Sequence, residues 1–312
     1  MRHLSDSPIR ELFTPLFVLA VSVIIAFAPD AYLPMLIRAF IVPAVTVTAV
    51  LVSWAVWRRR WWLAVAAGTG SLVMIAQLIV PSQSEDGSAE VAHEGAALRV
   101  FHMNVLQPNT SYAEAIAQAL QSQADIISVQ EVDPRWGGEL SRGLHHRYPY
   151  SHVVPRENCY GIALFSKVPF GRVETFESAG APFIEASFDI RGKPLRLIAV
   201  HATSPISYVH FRRRNEQLRA LGERITRNDT STIVVGDLNT VPWDQAFRRF
   251  CARAGLRSGA SVPYRTWPSI GPFAVMPLDH ILVSEDLRST GFITVDVPGS
   301  DHRGLYAELY NR

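Results

Sequence analysis

Five short polar signatures, each at the end of an apolar run typical of a β-strand, lie between positions 101 and 302. They read Phe101-His-Met-Asn104, Val129-Gln-Glu131, Ala199-Val-His201, Val234-Val-Gly-Asp237-Leu-Asn239 and Ser300-Asp301-His302. Six of their side chains can bind a cation or transfer a proton: Glu131, His201, Asp237, Asn239, Asp301 and His302. Strands that deliver carboxylates, amides and imidazoles at their ends are typical of metal-assisted phosphoryl hydrolases, so the pattern predicts chemistry of that kind.

Oxygen donors dominate this set and favour a hard cation. Asn104, Glu131, Asp237 and Asn239 all offer amide or carboxylate oxygens. Mg²⁺ takes only one or two protein carboxylates because it keeps several of its waters, so a small acidic set is sufficient.

The histidines and cysteines indicate acid–base chemistry rather than zinc binding. His201 and His302 each close or follow an apolar run and are candidates for proton transfer. No Cys/His cluster has zinc spacing, and no glycine-rich phosphate loop follows a strand, so a zinc site and a nucleotide-binding fold are both disfavoured. Whether Cys159 and Cys251 pair is open.

Together these residues resemble the endonuclease/exonuclease/phosphatase superfamily, whose DNase I-like fold is shared by nucleases, inositol phosphatases and sphingomyelinases. The resemblance covers residues 97–312, and the combination of Gly236-Asp237-Leu238-Asn239 with Ser300-Asp301-His302 carries it. It implies that Glu131 is the principal ligand of Mg²⁺, or alternatively of Mn²⁺, with Asn104 beside it. Asp301 resembles the second acidic residue near the metal.

The resemblance also implies catalytic roles. His302 resembles the residue that activates or positions the attacking water, and Asp279 resembles the carboxylate that orients it. Asp237 and Asn239 resemble the pair that orients the nucleophile and the phosphate. His201 resembles the histidine that stabilises the phosphoryl oxygens.

Some of these residues have purely structural interpretations. The segment from Asp237 to Asn239 could form a turn or cap a helix, and Asn104 could form an Asx-turn before Pro108. We interpret His280 as structural because it directly precedes the apolar run 281–283. The segment Asn158-Cys159-Tyr160-Gly161 departs from the Asn-x-Gly-Gly sequence of many members of the superfamily.

Strand and helix patterns alternate after position 98 and predict an α/β fold with two mixed sheets packed as a sandwich flanked by helices. The predicted strands are 98–103, 125–130, 161–166, 183–190, 195–200, 232–235, 280–283 and 304–310. The predicted helices are 112–121, 208–227 and 243–254. Residues 191–194, with the sequence Arg-Gly-Lys-Pro, predict a hairpin turn.

The first 80 residues have a different character. Three uncharged apolar stretches, 12–28, 39–57 and 61–80, are 17 to 20 residues long, near the ~20 residues that span a bilayer. They predict a membrane anchor of three transmembrane helices over residues 1–80. Residues 81–96 read as a flexible linker, and residues 97–312 form the catalytic domain.

The distribution of arginine predicts the orientation. Arg2 and Arg10 precede the first stretch, and three arginines at 58–60 separate the second from the third. The positive-inside rule places these residues in the cytoplasm, so three spans leave the catalytic domain outside the cytoplasmic membrane. If the first two stretches were instead one hairpin, this orientation would be reversed.

An anchor joined to such a domain resembles the membrane-anchored teicoplanin-resistance proteins of the VanJ kind. That group implies an extracytoplasmic phosphatase that acts on undecaprenyl pyrophosphate, so we expect a lipid phosphate as substrate. Residues 81–312 hold 24 basic and 25 acidic side chains, which disfavours nucleic acid as a partner. A phosphodiesterase of the nuclease or sphingomyelinase kind and a non-catalytic envelope binding protein are the alternatives, and the oligomeric state is open.

Overall fold

The computed structural model describes residues 8–27, 29–78, 98–225, 230–260, 263–270 and 274–311. The chain divides into two compact units. The helical unit comprises residues 1–80 with 242–245, and the sheet unit comprises residues 81–241 with 246–312. The predicted linker, 81–96, lies outside the described residues.

The described part of the helical unit contains four helices: α1 (Pro8–Phe27), α2 (Tyr32–Ala39), α3 (Ile41–Trp57) and α4 (Trp61–Gln77). The three predicted spans correspond to α1, α3 and α4, whereas α2 forms where we expected a loop. Pro29 follows α1, and Pro34 lies in the first turn of α2. Backbone N–H groups in the first turn of a helix have no partner within the helix, so proline is tolerated there.

The membrane prediction for this unit stays a prediction. Among the described residues, no single helix is both long and apolar enough to cross a bilayer. Leu12–Phe27 and Tyr32–Ala39 meet that requirement only as a pair bent by 104°, and α3 and α4 are shorter apolar helices.

The sheet unit contains twelve described strands and four described helices. The strands are β1 (Leu98–Asn104), β2 (Ile126–Gln130), β3 (Tyr150–Val154), β4 (Ile162–Ser166), β5 (Arg172–Ser178), β6 (Ala181–Ile190), β7 (Lys193–His201), β8 (Ser231–Asp237), β9 (Leu256–Ser258), β10 (Asp279–Ser284), β11 (Leu287–Asp296) and β12 (Arg303–Asn311). The helices are α5 (Tyr112–Gln121), α6 (Pro134–Leu144), α7 (Tyr208–Arg224) and α8 (Gln245–Ala254).

The strands form two six-stranded mixed sheets, ordered β11-β12-β1-β2-β4-β3 and β5-β6-β7-β8-β10-β9. Alternate side chains of each strand enter different cores. Val100 and Ile233 belong to the core between the sheets. Phe101 packs with Trp136 of α6, and Val234 packs with Phe250 of α8. The α/β prediction of two mixed sheets flanked by helices is therefore confirmed.

Strand direction brings the polar signatures to one edge of both sheets. The pairs β1–β2 and β7–β8 are parallel, so all four strands end at that edge. Strands β10 and β12 run antiparallel to β8 and β1, so each of them begins there. The sheet topology thus explains why residues far apart in sequence converge.

Several elements of the sheet unit were not predicted. Strands β3, β5 and β11 lie at sheet edges or have half-exposed faces, so they lack a continuous apolar run. Helix α6 contains three glycines, which are poor helix formers. It begins because the Asp133 side chain accepts a hydrogen bond from the N–H of Trp136 at 2.6 Å, with Pro134 at the first position.

The predicted hairpin is confirmed with a shifted turn. Ile190 pairs with Lys193, so Lys193 and Pro194 already belong to β7. Arg191 and Gly192 form the two-residue turn, and both have positive φ, as the common tight hairpin turn requires.

Gly236 generates a test of the fold. Its φ is +145°, and a Cβ atom there would lie 1.9 Å from the carbonyl oxygen of Val200 on β7. We expect Gly236→Ala to lower the free energy of unfolding by more than about 2 kcal/mol. Gly138→Ala is the matched control, since Gly138 lies in α6 with nothing within 4 Å of the added atom. Thermal unfolding measures the stability of both variants. Equal stabilities would show that the close approach of β8 to β7 does not require glycine at position 236.

Candidate active site

Asp237, the last residue of β8, lies at the centre of the polar cluster. Its Oδ2 is 3.3 Å from Nδ2 of Asn104 and 3.7 Å from Nε2 of both His201 and His302. Its Oδ1 accepts a hydrogen bond from the N–H of Asn239 at 2.9 Å. His201 reaches this position because it pairs in register with Asp237 across the parallel strands.

Asp279 begins β10 directly opposite Asp237 and lies between two imidazoles. Its Oδ2 is 2.8 Å from Nδ1 of His302, and its Oδ1 is 2.6 Å from Nε2 of His102. All of these side chains are buried. No role was predicted for His102. This residue lies two positions before Asn104 on β1, so both side chains point to the same side of the strand.

Glu131 and Asn104 contact each other at the ends of β2 and β1. Asn104 Nδ2 donates to Oε1 of Glu131 at 3.0 Å, and the N–H of Gln107 donates to its Oε2 at 2.9 Å. The N–H of Leu106 donates to Oδ1 of Asn104 at 3.0 Å. The Asx-turn considered for Asn104 is therefore present, and the side chain takes part in the polar cluster as well.

Asp301 joins the cluster through its neighbours. The Ser300 hydroxyl donates to the backbone carbonyl of Asn104 at 2.7 Å, and the indole N–H of Trp267 donates to Oδ2 of Asp301 at 2.8 Å. Its Oδ1 is buried and has no hydrogen-bond partner among the described residues. A buried carboxylate oxygen without a donor is costly. A hard cation would satisfy it, so the donor chemistry of Asp301 suits such an ion, as does the carboxylate of Glu131.

The two asparagines considered from the sequence differ in placement. Asn239 is buried, and its Nδ2 donates to the carbonyl of Ala202 at 2.9 Å, which joins the ends of β7 and β8. Asn158 is exposed, and its Oδ1 accepts from the N–H of Tyr160 in its own segment at 3.1 Å. Tyr160 places its ring centroid 5.7 Å from that of His201.

Burial and neighbouring charge shift the pKa values of the central groups. Burial lowers the pKa of His302, but the Asp279 and Asp237 carboxylates outweigh it and raise that pKa to about 10. Burial raises the pKa of Asp279, but His302 and His102 outweigh it and hold that pKa below its ordinary range. Burial and the Asp279 charge raise the pKa of Asp237 to about 8. Burial and His302 lower the pKa of His201 to about 3. The site therefore favours an Asp279 carboxylate paired with a His302 imidazolium.

A second group of side chains could also hold a cation. Asp237, Asp279 and His302 each offer one ligand atom, and these atoms lie within 4.8 Å of one another. The imidazolium of His302 beside Asp279 would repel a cation on the same carboxylate, so Asp279 is better suited to orient His302 than to bind an ion.

His280 has the structural role expected for it. Its Nε2 is 2.8 Å from the carbonyl oxygen of Thr240, and its ring packs on Phe247 with centroids 4.7 Å apart. Burial lowers its pKa to about 4. The neutral ring therefore belongs to the packing beneath the site. Cys159 and Cys251 are both unpaired.

Comparison with known proteins identifies the class. The model of the Endonuclease/Exonuclease/phosphatase family matches residues 101–302, and the chain belongs to this family. Its members hydrolyse phosphoester bonds, so family and fold define a phosphoester hydrolase. None of the curated proteins matches the sequence.

Solved structures share the fold at low sequence identity. D. rerio TDP2 complexed with single strand DNA product is 18% identical, covers 70% of this chain and 100% of its own, and gives a TM-score of 0.58. Sphingomyelinase C from Streptomyces griseocarneus is 20% identical, with coverages of 69% and 99% and a TM-score of 0.54. A mutant beta toxin from Staphylococcus aureus with bound magnesium ions is 19% identical, with coverages of 69% and 99% and a TM-score of 0.52.

The cluster generates a test of the catalytic residues. We expect Asp237→Ala and His302→Ala each to lower kcat roughly 10²–10⁴-fold, the range for removing a group that transfers protons. Glu114→Ala, which changes an exposed acid in the first turn of α5, should retain parental activity. Chelation with EDTA should abolish turnover, and added Mg²⁺ should restore it. Release of p-nitrophenol from an activated phosphodiester measures the activity of the three variants and the effect of EDTA. Near-parental turnover by Asp237→Ala would contradict its assignment as a catalytic residue.

Proposed function

We propose that the protein is a Mg²⁺-dependent phosphatase anchored in the cytoplasmic membrane, with its site outside the cytoplasm and a lipid pyrophosphate as substrate. Phosphoester hydrolysis follows from the family, whereas the metal, the location and the substrate are the proposal. The observation that carries the lipid substrate is a group of exposed apolar side chains beside the site.

The site geometry supports direct attack by water on phosphorus. Asp237 Oδ2 and His302 Nε2 are 3.7 Å apart, too far for a good hydrogen bond but close enough for both to bond one oxygen atom. Asp279 fixes the His302 ring with Nε2 directed towards Asp237. In this arrangement the ionised form of Asp237, whose raised pKa makes it a stronger base, accepts the proton of the water, while His302 and His201 border the phosphoryl oxygens.

Glu131, Asn104 and Asp301 would hold the metal ion. Their oxygens are the ligands that Mg²⁺ prefers, and Mn²⁺ accepts similar ones. When bound, the ion supplies Lewis-acid stabilisation of charge on the phosphoryl oxygens. The magnesium ions of the beta toxin structure support this choice of metal.

The four most exposed large apolar side chains among the described residues of the sheet unit lie on segments that adjoin the site. Three of them follow His201 in the chain: Ile206, Tyr208 and Val209, which are 74%, 57% and 56% exposed. The fourth, Ile270, is 66% exposed and follows Ser269, whose N–H donates to the carbonyl of Asp301 at 2.7 Å. We call these four residues the apolar rim. In our proposal an acyl or isoprenyl chain of the substrate covers these exposed apolar side chains.

Charge near the rim also suits a lipid phosphate. Arg212 and Arg213 are exposed on α7, one turn after Tyr208 and Val209. Arginines next to exposed apolar residues are typical of surfaces that bind anionic lipids. Residues 81–312 as a whole carry no basic surplus, which is a poor match for the backbone of nucleic acid.

The helical unit supports the location. Its arginine distribution favours a cytoplasmic N-terminus, and its three uncharged apolar stretches have the length expected of membrane spans. A tether keeps the site close to a lipid substrate and raises its effective concentration. The resemblance to the VanJ-type teicoplanin-resistance proteins makes undecaprenyl pyrophosphate the first substrate to try.

A phosphodiesterase activity is the second candidate. The fold is shared with D. rerio TDP2 bound to a DNA product and with sphingomyelinase C, and the geometry around Asp237 would serve a diester equally well. A purely binding role is disfavoured because all eight sequence-predicted site residues are brought to the same edge of the sheets.

The substrate proposal is tested with the full-length protein in vesicles. We expect phosphate release from undecaprenyl pyrophosphate and little nicking of plasmid DNA at equal enzyme concentration. Plasmid nicking that is lost in Asp237→Ala, without phosphate release from the lipid, would favour the nuclease.

Variants of the apolar rim test separately whether these side chains contribute to hydrolysis of the lipid substrate. Val209→Ser combined with Ile270→Ser should lower kcat/KM for undecaprenyl pyrophosphate in vesicles roughly tenfold, since burying one aliphatic side chain in an apolar phase contributes about 1 kcal/mol or more. Hydrolysis of water-soluble isopentenyl pyrophosphate should not change. Ile293→Ser is the matched control, because Ile293 is 51% exposed on β11, away from the site. Equal losses on both substrates would show that the rim does not contact lipid.

The orientation is tested with reporter fusions. Alkaline phosphatase fused after Arg312 should be active, because that enzyme matures outside the cytoplasm, and a fluorescent protein that folds only in the cytoplasm should remain dark there. The orientation follows from the arginines at positions 58–60. The reverse pattern of the two reporters would show that the number of spans or their direction is different.

A further inference from the structure

We infer that His102 is a positioning residue for the hydrolysis reaction, acting through Asp279 on His302. Its Nε2–H donates to Oδ1 of Asp279 and holds the carboxylate so that Oδ2 fixes the His302 ring. The inference rests on the hydrolase function proposed for this site, but it does not depend on the identity of the substrate.

The hydrogen bond joins the two sheets at the edge where the site lies. His102 belongs to β1 of the first sheet, and Asp279 begins β10 of the second. The distance of 2.6 Å between Nε2 and Oδ1 is typical of a strong bond to a carboxylate. His302, next to the start of β12, completes the row at 2.8 Å. The row of His102, Asp279 and His302 therefore fixes His302, which lies next to the first sheet, relative to the second sheet.

Strand periodicity gives β1 a contact with each half of the site. His102 and Asn104 are two residues apart, so both side chains leave the same face of the strand. Asn104 contacts Glu131 and Asp237, and His102 contacts Asp279. A shift of β1 would therefore disturb the contacts of Asn104 and the contact of His102 together.

A buried aspartate needs a second donor to be held in one orientation. The χ2 torsion of aspartate has a broad energy minimum, so one hydrogen bond leaves the carboxylate free to rotate. Without His102, Oδ1 of Asp279 would also lose its partner in a buried environment, which is unfavourable. The carboxylate could then turn away from His302, and the ring would no longer be held towards Asp237.

The surroundings of His102 select one tautomer. A carboxylate oxygen can only accept, so Nε2 carries the hydrogen that Asp279 receives. Nδ1 of His102 is buried and has no partner among the described residues. A buried N–H without an acceptor is rarer than a bare lone pair, which leaves Nδ1 without a hydrogen. The ring thus has one donor, and that donor is directed at Asp279.

Kinetics of the full-length protein in detergent test the inference, with bis-p-nitrophenyl phosphate as the probe. His102→Leu should lower kcat roughly 10–100-fold with little change in KM, the usual size of effect when a supporting hydrogen bond is removed. His102→Gln, whose side-chain N–H can occupy the position of Nε2–H, should recover most of the loss. In the Asp279→Ala background, His102→Leu should cost little more, because the residue acts through Asp279.

Three kinetic results would overturn the inference. The first is parental kcat in His102→Leu. The second is an equal loss in His102→Gln and His102→Leu when both unfold at the parental temperature. The third is an undiminished loss in the Asp279→Ala background, which would mean that His102 acts by another route.

Nuclear magnetic resonance decides the matter even if the protein fails to hydrolyse the probe. In protein labelled with ¹⁵N-histidine, we expect the Nε2–H tautomer for His102 and a slowly exchanging Nδ1–H for His302. The His302 signal should persist in His102→Gln and be lost in His102→Leu. Its persistence in His102→Leu would overturn the positioning role, whereas failure to hydrolyse any phosphoester with these signals intact would count against the proposed function alone.

Discussion

Two carboxylates lie side by side at the edge where the two sheets meet, and the cost of burying them constrains the rest of the site. Asp237 and Asp279 are opposite each other in the β8–β10 pair, and both are buried. Two adjacent carboxylates cannot both ionise freely in such a place. Asp279 takes the bonds of His102 and His302 and keeps its charge, while the pKa of Asp237 rises to about 8. The buried imidazoles divide the two acids into an orienting group and a reactive one.

This division requires close and exact strand register, and the backbone provides it. Asp237 must reach the level of His201 on β7, and Gly236 allows β8 to approach β7 where any side chain would meet the carbonyl of Val200. The Ser300 hydroxyl holds the segment before β12 against the end of β1. Helices cover the outer face of each sheet, so the strands that carry the site are buried on both faces.

The sequence was sufficient for the parts of this site that follow from local pattern. Apolar strands with polar ends predicted that Asn104, Glu131, His201 and Asp237 would meet, and parallel pairing explains why they do. His102 escaped prediction because its partner is 177 positions away on the other sheet, and no local pattern reports such a contact. Edge strand β11 escaped because it has few buried side chains. The α2 helix escaped because the connection between the first two apolar stretches contains Pro29, Asp30 and Pro34, which are typical of loops.

The exposed apolar rim is consistent with the proposed site of action at a membrane. Ile206 and Ile270 are among the most exposed large side chains of the sheet unit, and such residues are an aggregation risk for a protein that diffuses freely in water. Near a bilayer the same side chains have an apolar phase to enter, and Arg212 and Arg213 would then lie among anionic headgroups. The phosphate backbone of nucleic acid is bound mainly through basic surfaces, and residues 81–312 carry no basic surplus. The proposed lipid substrate would give the rim, the charge balance and the apolar N-terminal helices one common physical reason.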